Sequence, residues 1–171
     1  MHLILLYLLS FISTFASAQT LKTFANPTIP FTAKYPATWE NKIKENKRVF
    51  FTSPLENAVD SFRQNVNIGI TYNKEFGTTL KVKNVLSDIY KELNRSITDF
   101  QPIADEKYFK WNGVDACEIS YTGFVQDTKA KFIQWFAFSK GRLFTITYST
   151  ILGEDAFITQ ALAIMKSMEI K

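Results

Sequence analysis

The chemistry open to this chain is bounded by how few of its side chains could perform it. Among 171 residues there is one histidine, His2, and one cysteine, Cys117. His2 stands ahead of an apolar run from Leu3 to Phe15 that ends in Ala16-Ser17-Ala18, small residues where a signal peptidase cleaves, so export would remove it and leave Gln19 as the N-terminus. Without imidazole, Ser-His-Asp and Cys-His nucleophile systems and zinc sites built from histidine are closed. The patterns S-x-x-K, G-x-S-x-G, G-x-G-x-x-G and C-x-x-C, the P-loop and the EF-hand loop are likewise absent from the sequence. A lone thiol cannot close an internal disulfide even in an oxidising compartment, so stability must come from packing.

Carboxylates remain, because two of them suffice for glycoside hydrolysis. The candidates are Asp60, Asp105, Glu106, Asp115 and Glu118, and no spacing pairs any two of them. In the run Val114 to Tyr121, strand alternation puts Cys117 with Ile119 and Tyr121 on an apolar face, which predicts a buried, inert thiol. Glu118 takes the opposite parity and is expected in solvent, since an unpaired glutamate is rarely buried. No catalytic, cofactor-binding or metal-binding residue is assigned, and the chain reads as a binding protein rather than an enzyme.

Binding residues are sought among the cations. The formal charge is +4, from 20 basic and 16 acidic side chains, and none of these lies before residue 19. The excess is too mild and too scattered to mark a nucleic-acid binder. Its densest part is Lys42, Lys44, Lys47 and Arg48, with Glu45 the only acidic residue among them, and Lys140 and Arg142 stand in a second proposed turn. Such hairpin ends blunt a sheet edge, and they can also meet an acidic protein, glycan or lipid surface. Phe62 and Arg63, ending the loop Pro54 to Asn65, are the next candidates for a partner site. Phe50, Phe51, Phe132, Trp135, Phe136 and Phe138 fall in apolar strands and are read as sheet core, not as a ligand box. Asn94-Arg95-Ser96 is a glycosylation sequon, with meaning only in a eukaryotic secretory pathway.

The elements that must position these residues follow from periodicity. The apolar run before Ala16 is too short for the ~20 residues that a membrane span needs, so no anchor is expected after cleavage, and the remaining ~150 residues fit one domain. Thr20 to Ile29 reads as an extended lead-in. Phe31 to Tyr35 alternates and stops at Pro36, and Val49 to Thr52 is expected to pair with it as a hairpin. Val66 to Tyr72 alternates again. Thr79 can cap a helix in which Val82, Val85, Leu86, Ile89, Leu93 and Ile97 form one apolar stripe. Ile103 to Trp111 and Val114 to Phe124 flank Asn112-Gly113, a type I′ turn signal, and Lys131 to Phe138 and Leu143 to Thr150 flank Ser139-Lys140-Gly141-Arg142. The strand from Lys131 is apolar on both parities and is expected to be covered on both faces. A second helix is predicted over Asp155 to Met168, with Phe157, Ala161, Ile164, Met165 and Met168 on one stripe. The order β-β-β-α-β-β-β-β-α, joined mostly by hairpins, gives an α+β domain built on an antiparallel sheet.

Three strings carry a resemblance: Phe31-Thr32-Ala33-Lys34-Tyr35-Pro36-Ala37-Thr38-Trp39, Phe50-Phe51-Thr52-Ser53-Pro54, and Asp60-Ser61-Phe62-Arg63-Gln64-Asn65-Val66-Asn67-Ile68. With Gly113-Val114-Asp115-Ala116 and Phe144-Thr145-Ile146-Thr147-Tyr148, they make the chain from about Ile29 onward resemble the PsbP-like family. That group includes the extrinsic PsbP subunit of photosystem II, exported bacterial proteins and a Ran-binding nuclear transport factor. The resemblance implies an antiparallel sheet sandwiched between helices, an α/β/α sandwich, and a non-enzymatic accessory role in which the domain docks on a larger partner, protein or envelope component. The photosynthetic subunit's metal-associated histidines have no counterpart after residue 18, so no functional residue is carried over. A small carboxylate-dependent hydrolase, or a carrier holding a small apolar molecule between sheet and helix, stands as the alternative.

Overall fold

The computed structural model describes residues 19–45, 48–57, 62–72 and 80–171. The apolar leader, Lys47, Asp60 and the proposed cap Thr79 lie outside the described residues. In chain order the elements are β1 (Leu21–Ala25), β2 (Phe31–Pro36), β3 (Glu40–Ile43), β4 (Val49–Thr52), β5 (Asn65–Tyr72), α1 (Val82–Ser96), β6 (Thr98–Pro102), β7 (Lys107–Trp111), β8 (Val114–Val125), β9 (Thr128–Ser139), β10 (Arg142–Ile151), α2 (Ile158–Ser167) and β11 (Glu169–Ile170). Among the described residues, eight strands form one sheet in the order β3-β4-β5-β10-β9-β8, with β6 and β7 both paired to β8, and a three-stranded sheet has the order β1-β2-β11. Every pairing is antiparallel.

The central strand β9 has two apolar parities because the sheet has two covered faces. Ile133, Trp135 and Ala137 join a core with Ile68, Ile146, Tyr148 and the α2 residues Ala161, Ile164 and Met165. On the other face Phe132 and Phe136 join Cys117, Ile119 and Tyr121, against which the α1 stripe of Leu86, Ile89, Leu93 and Ile97 packs. The two helices thus sit on opposite faces, but the first face is shared with the small sheet, whose Phe31, Ala33 and Tyr35 are buried in the same core. Helical cover is correspondingly small.

Local chemistry sets the turns as expected. Asn112 and Gly113 have φ of 51° and 78°, and Lys140 and Gly141 have 52° and 71°, the left-handed pairs that a type I′ hairpin needs. Helix α1 starts at Val82, where Asn84 Oδ1 accepts a hydrogen bond from the Lys81 N–H at 3.3 Å. It ends against β8, where a Cβ on Gly123 would overlap Ile97 Cγ2, so that approach requires glycine.

The expected hairpin between Phe31–Tyr35 and Val49–Thr52 does not form, because β2 belongs to the small sheet and β4 to the large one. Between them Trp39, 2% exposed, packs edge-on to Phe157 and donates its indole N–H to Gln160 Oε1 at 2.7 Å, which fixes the crossing from one sheet to the other. The hairpin partner of β4 is β3, the polar stretch from Glu40, which carries no apolar alternation and is held by its main-chain ladder, and β5 pairs with the other side of β4. For the same reason β1 and β6, nearly all exposed, escape periodicity. The strand expected from Ile103 begins at Lys107.

Candidate functional site

The large sheet ends in two different edges, and the candidate residues fall on both. At one edge, Lys42, Lys44 and Arg48 are exposed on or beside the β3–β4 hairpin. The register pairs Lys42 with Phe50 and Phe50 with Asn67, so the even-numbered residues of this hairpin share the face of the sheet opposite the main core. Lys44 Nζ lies 4.6 Å from the Phe50 ring centroid, a cation–π contact. The Arg48 guanidinium covers Gly69, with Nε 3.6 Å from where a Cβ would stand. With Glu45 and Ile43, these residues line a shallow cleft of about 730 Å³.

Lys140 and Arg142 come to the same end of the sheet, since Arg142 pairs with Tyr72 and Ser139, but Arg142 lies on the other face. Arg142 shares parity with the core residues Phe144 and Ile146 and lines a separate cleft with Tyr72, Ile70 and Lys171. Arg63 is committed internally: its Nε donates to the Ser53 carbonyl at 2.6 Å and its Nη1 bonds Glu40 Oε2 at 2.9 Å, tying the preceding loop to β3. The same pair holds the Glu40 carboxyl below its ordinary range. Phe62 is half-buried beside it.

The opposite edge carries a group that sequence reasoning did not anticipate. Glu118, expected in solvent, has a side chain only 16% exposed. Its Oε2 accepts the Trp135 indole N–H at 2.7 Å and its Oε1 accepts Lys107 Nζ at 3.0 Å. Trp135 is buried, and the Phe109 ring stands edge-on to it at 4.8 Å. An unpaired glutamate would stay in water, but the register Lys107↔Glu118↔Trp135 supplies a donor from each neighbouring strand. Alternation around Glu118 could not reveal donors that lie eleven and seventeen residues away.

On the other face of β8, Cys117 is buried as expected. Burial, reinforced by the nearby Glu106 carboxylate, pushes its thiol up to about 11, the reverse of activation. Glu106 Oε1 accepts the Tyr90 hydroxyl at 2.9 Å. Asp115 is bound by Lys110 at 2.7 Å and Lys81 at 3.6 Å, and these bonds hold its carboxyl low. Asp115 and Glu118 therefore lie on opposite faces of one strand and share no cleft. Among the described residues there is no cluster of histidine, cysteine and carboxylates fit to hold a metal. None of their helices is long and apolar enough to cross a membrane.

The sequence matches the family profile described as PsbP-like protein over residues 10–165. No curated protein matches it. Among solved structures, the chain is similar to the cyanobacterial PsbP, CyanoP, of Synechocystis sp. PCC 6803, at 14% identity and a TM-score of 0.64, covering 92% of this chain and 96% of that one. It is also similar to PA94 of Pseudomonas aeruginosa, a protein of unknown function, at 10% identity and a TM-score of 0.62 over 86% and 94% of the two chains. LpqN of Mycobacterium tuberculosis, involved in cell envelope biogenesis, aligns at 13% identity with a TM-score of 0.59 over 88% and 91%. At these identities the structures establish the fold alone.

Proposed function

The chain belongs to the PsbP-like family, and from that membership we propose that it is an exported, non-enzymatic accessory module that docks on an acidic protein or envelope surface. The observation that carries this reading is the β3–β4 hairpin, where Lys42, Lys44 and Arg48 share one exposed face around Phe50. Cations so placed, with an aromatic ring among them, raise the association rate toward an acidic surface and make capture salt-sensitive. Lys140 and Arg142, at the same end of the sheet, extend the field rather than the contact. The envelope role described for LpqN supports the same kind of setting.

Affinity purification from the native envelope tests the proposal. Capture of an acidic partner should fall with rising salt and in the triple variant Lys42→Glu, Lys44→Glu, Arg48→Glu; capture undiminished in that variant would remove the hairpin from the interface. The intact mass of the native protein checks export, which places Gln19 first; a mass for all 171 residues would refute it.

A further inference from the structure

A sheet edge can bind as well as pack, and the free edges of the large sheet differ in how far they are protected. Strand β6 is blunted: it carries a register shift between Thr98 and Gln101, a left-handed Asp99 at φ 54° and Pro102. Strand β3 is four exposed residues long, and the cleft beside the hairpin takes in only its last two, Lys42 and Ile43. Strand β7 is regular over five residues and has no bulge or proline.

The two-residue turn at Asn112-Gly113 makes Trp111 and Val114 a hydrogen-bonded pair, so Phe109 and Lys107 bond to β8 while the N–H and C=O of Tyr108 and Lys110 point away from it. Among the described residues no backbone group bonds that outer side. The strand is held from behind: Trp111 Nε1 donates to the Met165 carbonyl at 3.3 Å and Asn112 Nδ2 to the Met168 carbonyl at 2.7 Å. Two clefts flank it. One, of about 420 Å³, lies on the α1 side beside Tyr108 and Lys110 and is bordered by Lys81, Val82 and Lys83. The other, of about 580 Å³, lies on the α2 side beside Phe109 and is bordered by Trp135, Glu118 and Lys166.

We propose that the outer edge of β7 receives an extended acidic segment of another protein as an added strand, its alternate side chains entering the two clefts. Main-chain bonds to Tyr108 and Lys110 supply affinity, and the clefts supply selectivity. Charge selects the occupant: five lysines, Lys81, Lys83, Lys107, Lys110 and Lys166, surround the edge against three carboxylates, Asp115 paired with Lys81 and Lys110, Glu118 paired with Lys107, and Glu106, which accepts the Tyr90 hydroxyl. Acidic side chains fit the α1-side cleft, and an apolar or aromatic one fits the Phe109–Trp135 side. A second copy of the chain would bring the same lysines against each other. This surface is separate from the basic hairpin and stands or falls without it.

The test uses the chain from Gln19 and a fluorescent seven-residue peptide of alternating glutamate and phenylalanine, read by anisotropy. Saturable, salt-sensitive binding is expected. Lys110→Pro, which removes an outward N–H and leaves the β8 ladder intact, should weaken it about tenfold more than Lys110→Ala, which keeps that N–H. Since the proline variant could fail to fold, the peptide N-methylated at alternate residues is measured on the unaltered protein and should lose binding by a similar factor. The triple hairpin variant should bind the peptide within about twofold of the parent, because β5, β10, β9 and β8 stand between the hairpin and β7 and strand spacings of about 4.8 Å put its reversed charges beyond a Debye length. No saturable binding, equal binding of the N-methylated peptide, or a dimer that the peptide dissociates would each overturn the proposal.

Discussion

The two edges of the large sheet are built from the same main-chain bonds and differ in everything else. At the β7 edge the strand is fixed by side chains from three directions: Trp135 and Glu118 beneath it, Met165 and Met168 carbonyls behind Trp111 and Asn112, and Asp115 beside Lys110. At the β3 edge all four strand residues are exposed, and the described side-chain ties are Arg63 to Glu40 and Asn41 to the Tyr35 hydroxyl. The difference teaches that the charged edge could change its side chains at little cost in stability, whereas the aromatic edge has its chemistry built into the core. Local stability should follow, with β3 opening first.

Replacing Trp135 with alanine should break the comparison most sharply. It deletes a buried indole, removes the Phe109 contact and leaves Glu118 with a lysine alone, for a loss of about 3–5 kcal/mol in urea unfolding. A loss below about 1 kcal/mol would mean that the aromatic edge is no better anchored than the other. Next in size is Gly123→Ala where β8 meets α1. The new methyl group would collide with Ile97, a β-branched residue with little freedom to move, at about 1–3 kcal/mol, seen as a lower melting temperature.

The thiol beneath β7 gives a pH signature. Cys117 is raised from 9.0 to about 11 in the folded chain, so the unfolded chain releases its proton first. Its stabilising contribution is complete below about pH 9 and is lost as pH rises from there toward 11. Tyr121 and Tyr148 are raised by burial from an ordinary value of 10.0, so their contributions begin to be lost at about pH 10 and alkaline unfolding should steepen from there upward. Cys117→Ala should flatten the stability curve between pH 9 and 11, and a parent and variant with parallel curves would contradict the burial of the thiol. The smallest effect belongs to the other edge: Ile43→Ala on exposed β3 should change unfolding free energy by no more than about 0.5 kcal/mol, which calorimetry can bound.

What was legible before the structure divides along the same line. The strands β5, β8, β9 and β10, the helix α1 and both glycine turns write their burial into alternation, a three-to-four-residue stripe or a dipeptide with positive φ, so they were read near their observed bounds. Strands β1, β3 and β6 bury almost nothing and leave no period to find. Of the candidate residues, Lys42, Lys44 and Arg48 do share a face, whereas Arg142 turns to the other face and Arg63 is consumed by Ser53 and Glu40. Lys47 lies outside the described residues.

From its sequence alone this protein is restricted to a narrow chemistry: one thiol on an apolar parity, no imidazole beyond His2, and a mild positive charge gathered near a turn. Those properties belong to single residues and their near neighbours, so they survive any folding of the chain. The environment of Glu118, the placing of Trp39 between two sheets, and the contrast between an anchored edge and a bare one were decided only by tertiary structure. Each depends on donors and rings brought from distant strands and helices by registry, and registry is set by the sum of many weak contacts rather than by any stretch that can be read in isolation.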